Sequence, residues 1–188
     1  MEPEKMAVVG VTLVVVVVGV LIGMSFLTFP ASGGGDDNDL TKTTQDTDLL
    51  ELGLEVPSNW EFEMSDGSTL ALSDLEGQIV LVDLMATWCS TCTTQNGYLQ
   101  TIVDDLAGDV VVISLTVDTS ETTSMMADYK SSRGLTWGHG VDNRHFMNYF
   151  SISSVPSMVL IDASGVFRYF HVGLWSTASM STTIASIM

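Results

Sequence analysis

The residues best suited to chemistry are Cys89 and Cys92, the only two cysteines among 188 residues. They are separated by Ser90 and Thr91 and lie just beyond an apolar run, residues 78–86, with Thr87 and Trp88 between. Two thiols at this spacing, where a strand passes into a helix, can close a disulfide within one helical turn or supply half of a zinc site. Because the chain has no other cysteine, the natural partner of each is the other, and the spacing favours a redox pair.

The rest of the composition offers little support for a metal centre. His139, His145 and His171 have no spacing that would complete a zinc site with the cysteines, so we interpret them as surface or packing residues. Methionines such as Met85 and the pair 125–126 are more typical of core packing than of copper binding. We therefore expect no metal.

Charge excludes another class of partner. The chain has 23 Asp and Glu residues against 6 Lys and Arg residues, and its formal net charge is −17. A phosphate backbone is bound by clustered basic side chains, and no basic stripe is present. We therefore expect no binding of nucleic acid.

Residues 6–29 carry no charge and predict a transmembrane anchor. As a helix rising about 1.5 Å per residue they would span roughly 36 Å, enough for a hydrocarbon core of about 30 Å. The alternatives are a buried core helix and a cleaved signal peptide, whose apolar region is usually only about 7–15 residues long.

The charges on the two sides of this segment predict its orientation. Lys5 and the terminal amine precede it, whereas Asp36, Asp37 and Asp39 follow it. Since positive charge is retained inside, we expect residues 1–5 in the cytoplasm and residues 30–188 outside the cell membrane, which the chain would cross once. An oxidising compartment also suits disulfide chemistry.

The remainder divides into a linker and one domain. Residues 30–55 are polar, acidic and poor in aromatic side chains, which predicts a flexible tether, and a short apolar stretch at 49–52 softens its boundary. From residue 56 to 188 the pattern predicts a mixed β-sheet flanked by helices. The predicted elements are strands at 60–64, 69–72, 79–85, 110–117, 157–161 and 166–170, and helices from 90 to Gly108, at 121–133 and at 176–188.

The order of these pieces resembles the thioredoxin superfamily, more narrowly the membrane-tethered TlpA/ResA type near the AhpC/TSA redoxins. The resemblance covers about residues 55–175. It is carried by the segments 70–77, 79–83, 86–92, 111–118, 154–157 and 160–165. It implies a thioredoxin-like fold and a thiol–disulfide oxidoreductase.

The chemistry is expected to centre on three residues. Cys89, at a helix N-terminus, should be the exposed attacking sulfur, because unpaired amides stabilise a thiolate there. Cys92, one turn further, should be shielded and resolve the mixed disulfide. The resemblance implies that Asp83 lies buried behind Cys92 and assists its proton transfer, with a pKa raised by burial. The alternative for Asp83 is a strand-edge carboxylate that faces water.

Three further residues are expected to bind substrate. The resemblance implies that Pro156 is cis and faces the disulfide, and that the backbone of Val155 pairs with an extended substrate. Trp88 should lie beside the cysteines and line the docking surface, or else belong to the ordinary core.

The leading hypothesis is a membrane-anchored oxidoreductase that acts on protein thiols and disulfides. The resemblance implies that it reduces the cysteines of apocytochrome c or maintains other exported thiols. It implies no organic cofactor, and electrons would pass to or from a partner dithiol in the membrane. One alternative is a copper-binding assembly factor of the Sco type, which needs three residues between its cysteines and a histidine in place of Pro156. The other is a thiol peroxidase, whose reactive cysteine has a different local context.

Overall fold

An eight-stranded mixed sheet organises the computed structural model, which describes residues 49–57 and 59–188. The predicted anchor at 6–29 and the linker before residue 49 lie outside the described residues. Within the described ranges, none of the helices has the length and apolar character needed to span a membrane.

The strands and helices alternate along the chain before a final hairpin and helix. The strands are β1 Leu49–Glu55, β2 Glu61–Met64, β3 Thr69–Ala71, β4 Ile79–Met85, β5 Val110–Thr116, β6 Gly138–Val141, β7 Ser157–Ile161 and β8 Val166–Val172. The helices are α1 Ser90–Asp105, α2 Thr123–Arg133, α3 His145–Tyr149 and α4 Thr177–Ala185, with a 3-10 helix at Leu72–Leu75.

Strand β4 lies near the middle of the sheet, whose order is β1-β8-β7-β4-β5-β6-β2-β3. It pairs in parallel with β5 and antiparallel with β7, and all seven of its residues are buried. A nearly continuous apolar strand is typical of a position covered on both faces. The predicted mixed sheet flanked by helices is therefore confirmed.

The two faces of the sheet carry separate cores. One face packs against α3 and the 3-10 helix in a cluster that includes Phe62, Val82, Phe146 and Phe167. The other packs against α1 and α4 through Leu81, Leu99, Ile102, Met180 and Ile184. Next to this second cluster, Met85 packs with both cysteines and with Met126 and Tyr129 of α2. Strand β4 thus contributes to both cores and leads directly to the cysteines.

The predicted start of the domain at residue 56 is too late. Residues 49–55, which we expected in the linker, form β1 and pair antiparallel with β8 at the edge of the sheet. The physical reason is that an edge strand gains its hydrogen bonds from a neighbour distant in sequence, so its own residues give little signal.

Strand β6 and helix α3 were not predicted. The sequence of β6 contains Gly138 and Gly140, which normally weaken a strand. Here the sheet requires a glycine, because a Cβ atom at Gly140 would lie 2.7 Å from the carbonyl oxygen of Glu63 and 2.8 Å from the sulfur of Met64. The close approach of β2 is thus possible only without a side chain.

The predicted helix ends are only partly confirmed, since α1 ends at Asp105 rather than at Gly108 and α4 ends at Ala185 rather than at residue 188. Helix α2 ends at Gly134, whose φ of 64° is the left-handed conformation that glycine accepts without strain. Its beginning is at Thr123 rather than at the predicted residue 121, because the Thr122 side chain accepts a hydrogen bond from the Met125 amide and caps the helix. Residue 121 is thereby left in the preceding loop, where its carboxylate has another role.

Candidate redox site

Cys89 and Cys92 form a disulfide at the start of α1, with their Cα atoms 5.3 Å apart. Cys92 is fully buried, whereas Cys89 retains 6% of its surface. The predicted order of exposure is therefore found, but Cys89 is more covered than expected. Within the described residues, no three His, Cys, Asp or Glu side chains gather as metal ligands do.

The N-terminus of α1 is directed at the sulfur of Cys89. Cys89 is the N-cap residue, and its Sγ accepts a hydrogen bond of 3.0 Å from the amide of Cys92. Once the disulfide is reduced, the same amide and the positive end of the 16-residue helix can stabilise a thiolate on Cys89. The arrangement favours Cys89 as the nucleophile.

A cis peptide bond faces this sulfur. The bond between Val155 and Pro156 is cis, as predicted. The carbonyl oxygen of Val155 lies 3.8 Å from the Cys89 Sγ. A backbone carbonyl therefore lies beside the disulfide.

Trp88 is 69% exposed, so its alternative assignment to the core is wrong. Its indole Nε1 donates a hydrogen bond of 2.7 Å to the Asp118 carboxylate. Hydrogen bonds from Ser120 and from Trp88 hold the pKa of Asp118 below its usual range. An ionised carboxylate thus anchors the large exposed ring next to the reactive sulfur.

Trp88 and Val155 both line a groove of about 200 Å³. The groove is mostly apolar, and among the described residues that line it only Asp118 is charged. The lining residues are Ala86, Trp88, Val117, Asp118, Ile152, Ser153, Ser154 and Val155. Two of the three residues predicted to bind substrate therefore line one open surface, and Pro156 follows directly.

Glu121 holds the loop that leads into Cys89 and was missed by the sequence reasoning. Its buried carboxylate accepts a 2.9 Å hydrogen bond from the Thr87 amide, and it also accepts from the hydroxyls of Thr87 and Thr116. Because these donors lie on the loop after β4 and at the end of β5, the carboxylate joins the two segments. The only available signal was an acidic residue shortly after a buried strand.

Asp83 is fully buried, so the alternative of a strand-edge carboxylate in water is wrong. Burial raises its pKa to about 7, and a 2.8 Å hydrogen bond from the Ser114 hydroxyl partly opposes this shift. Successive side chains of a strand alternate between faces, so Asp83 shares its face with Leu81 and Met85. Since Met85 packs with both cysteines, Asp83 lies on the same face of the sheet as the disulfide.

All three histidines are packing residues. His139 and His171 are buried, and His145 stacks on Trp60 with ring centroids 5.2 Å apart. Burial lowers the pKa of His139 to about 4, so this ring is neutral at ordinary pH.

Comparisons with known proteins agree with this site. The profile of the AhpC/TSA family matches residues 52–170. The thiol:disulfide interchange protein DsbE of Vibrio cholerae is 27% identical over 152 residues, covering 72% of this chain and 73% of DsbE. The thiol-disulfide oxidoreductase ResA of Bacillus thuringiensis is 24% identical over 121 residues, covering 64% and 69% respectively.

A solved structure supports the same fold. A thiol:disulfide interchange protein of the thioredoxin family from Chlorobium tepidum superposes with a TM-score of 0.62 at 20% identity, over 72% of this chain and 96% of that one. The thioredoxin-like fold expected from the sequence is therefore confirmed. Because the family match covers more than half of its length, the chain belongs to the AhpC/TSA family.

Proposed function

We propose that this chain exchanges disulfides with protein substrates through Cys89 and Cys92. The observation that carries the proposal is the disulfide at the N-terminus of α1, with the Cys89 sulfur beside the Val155 carbonyl and an open apolar groove. Relatives named as thiol–disulfide oxidoreductases support the same reaction class.

In the reducing direction, the Cys89 thiolate attacks a substrate disulfide and forms a mixed disulfide. One substrate sulfur leaves as a thiolate and takes a proton from water. Cys92 then gives its proton to the Asp83 carboxylate, and its thiolate attacks the Cys89 sulfur. The second substrate sulfur leaves and is protonated, so the substrate gains two electrons while the protein returns to its disulfide. The reverse sequence oxidises a substrate dithiol.

The substrate surface in this proposal consists of Trp88, Val155 and Pro156. An extended peptide can pair with the backbone at Val155, while an apolar side chain next to its cysteine enters the groove beside Trp88. The redox-active disulfide needs no organic cofactor, since electrons pass between dithiols.

We further propose that residues 6–29 anchor the domain outside the cytoplasmic membrane, where a membrane partner dithiol exchanges electrons with it. Its clients there would be exported protein thiols, including those of apocytochrome c. The uncharged segment and the charges around it support this placement. Full-length protein with a C-terminal tag should sediment with the membranes of lysed cells. Protease added outside the cytoplasmic membrane of intact cells or spheroplasts should remove the tag. Tag protection in intact but not in lysed cells would contradict the orientation.

Reduction of insulin disulfides by the full-length protein in detergent, with dithiothreitol as the electron donor and its uncatalysed rate subtracted, tests the activity. Cys89→Ser should abolish turnover, whereas Cys92→Ser should retain one mixed disulfide with a disulfide-containing peptide, visible by mass spectrometry. Ser132→Ala, on the exposed part of α2, is the control and should leave turnover unchanged. Turnover that survives Cys89→Ser, or peroxide reduction faster than insulin reduction, would refute the proposal.

A further inference from the structure

A row of five aligned residues crosses the sheet beneath the disulfide. Strand register pairs Asp83 with Ser114 of β5 and with Met158 of β7. Further out, Ser114 pairs with His139 of β6 and Met158 pairs with His171 of β8. Directly paired residues on neighbouring strands point to the same face, and all five are at most 1% exposed. The Asp83 carboxyl therefore lies at the centre of a buried row.

Two hydrogen bonds within this region have a defined direction. The indole Nε1 of Trp137 donates to the Ser114 hydroxyl oxygen at 2.9 Å, and the Ser114 hydroxyl lies 2.8 Å from Oδ2 of Asp83. An indole nitrogen can only donate, and a serine hydroxyl has a single proton. Because Trp137 occupies an acceptor position of Ser114, the serine proton is directed at Asp83.

Ser114 is also the only hydrogen-bond donor that the described residues offer to the Asp83 carboxyl. Oδ1 of Asp83 is buried and has no partner among them. Burial removes bulk solvation from this carboxylate, so its charged form depends strongly on the one donor that the described residues supply.

We propose that Ser114, oriented by Trp137, is a positioning residue that sets the proton affinity of Asp83 and thereby the pH at which the resolving step proceeds. The part concerning the resolving step rests on the proposed disulfide exchange. Ser114 touches neither substrate nor sulfur in this scheme and acts through Asp83 alone.

Other ionisable groups on this face lie further from the carboxyl. His139 and His171 stand two strands away on either side, which places their backbones roughly 10 Å from Asp83. Tyr129 of α2 packs with the cysteines, which become thiols on reduction, and α2 also carries the cations Lys130 and Arg133. None of these is among the hydrogen-bond partners of Asp83, so removal of Ser114 should dominate any change in its titration.

The direct test is a ¹³C NMR titration of the oxidised full-length protein labelled at aspartate Cγ, with Asp83→Asn used to assign the signal. Ser114→Ala should raise the titration midpoint of Asp83 by about one pH unit, because this variant lacks the hydrogen bond that stabilises the charged carboxylate. Ser114→Thr keeps the hydroxyl and should restore most of the midpoint. Trp137→Phe removes the orienting donor and should cause a smaller shift in the same direction.

Met158→Leu is the matched control, since Met158 flanks Asp83 on the other side of the row and makes no hydrogen bond to it. An unchanged or lowered midpoint in Ser114→Ala, or an equal rise in Met158→Leu, would overturn the proposal. If Ser114→Ala does not fold, an unchanged midpoint in Trp137→Phe would do the same.

A second measurement connects the titration of Asp83 with the rate of disulfide exchange. The pH profile of insulin reduction should move with Ser114→Ala in the native background but not in Asp83→Asn, where the group through which Ser114 acts is absent. Equal movement in both backgrounds would refute the positioning role. If insulin reduction is absent altogether, the proposed function fails, whereas the NMR titration still decides the effect of Ser114 on Asp83.

Discussion

The indole nitrogen of Trp88 donates a 2.7 Å hydrogen bond to the carboxylate of Asp118, although both side chains lie at the protein surface. The contact joins the residue just before Cys89 to the loop after β5. A large aromatic ring is thereby held in one position at the edge of the groove, instead of sampling several rotamers. Such preorganisation lowers the entropic cost of binding a substrate chain.

Asp118→Ala should therefore weaken substrate binding without harming the sulfur chemistry. We expect the KM for a peptide disulfide to rise a few-fold while kcat changes little, because the reacting atoms stay in place. Asp109→Ala, an exposed carboxylate away from the groove, removes the same charge and serves as control. An equal rise in KM in both variants would assign the effect to overall charge rather than to the position of Trp88.

Cys89 should react with alkylating reagents faster than Cys92 in the reduced protein. Cys92 is fully buried, and only Cys89 accepts the amide hydrogen bond at the helix N-terminus. Timed iodoacetamide labelling followed by peptide mapping measures both rates. Faster labelling of Cys92 would reverse the assigned roles.

Asp83→Asn should stabilise the protein at high pH. The carboxyl has a folded pKa of about 7, above the ordinary aspartate value of 3.8, so the folded state binds the proton more tightly than the unfolded chain. Stability from this group is complete below pH 3.8 and is lost as the pH rises through 7. Asparagine avoids the buried charge, and the gain at pH 9 should reach at most about 4 kcal/mol, since one pKa unit corresponds to about 1.4 kcal/mol.

Urea denaturation of the wild type and Asp83→Asn at pH 5 and pH 9 checks this expectation. The stability difference between the two proteins should be larger at pH 9. Asp109→Asn provides the exposed control, for which the difference should stay small at both values. A stabilisation of Asp83→Asn that is independent of pH would show that the buried charge is not its cause.

Glu121→Gln should loosen the loop before Cys89. The Glu121 carboxylate accepts hydrogen bonds from the Thr87 backbone amide and from two threonine hydroxyls. The glutamine side chain has only one acceptor oxygen, and its NH₂ group would face one of these donors. We expect a loss of about 1–3 kcal/mol in the free energy of unfolding, the usual cost of leaving a buried partner unsatisfied. Thermal and urea denaturation measure it. Glu76→Gln is an exposed control, and comparable losses in both variants would contradict the role of Glu121.

Local signals were sufficient for the central elements. Strand β4 begins and ends at the predicted residues because a fully buried strand is an unbroken apolar run, and the one polar residue inside it, Asp83, stands out for the same reason. Gly134 ends α2 as predicted, since a left-handed cap favours glycine. The two cysteines, at the strand-to-helix junction, already indicated a redox pair.

Features that depend on a distant neighbour were not predictable in the same way. Strand β1 forms because β8 supplies its partners, and β6 tolerates its glycines because β2 approaches closely. Glu121 is an ordinary acidic residue until the fold brings Thr87 and its amide to it.

Ser114 shows the division most clearly. By itself the sequence predicted a buried strand at 110–117, a carboxyl within the apolar run that became β4, and the cysteines that follow it. Only the tertiary structure placed Ser114 opposite Asp83 and Trp137 behind Ser114, so that the single hydroxyl proton is directed at the carboxyl. The physical reason is that periodicity and residue type report which side chains are buried, whereas a hydrogen bond requires two particular atoms within about 3 Å. Strand register decides that distance for Ser114 and Asp83, and the tertiary packing of Trp137 decides it for Trp137 and Ser114.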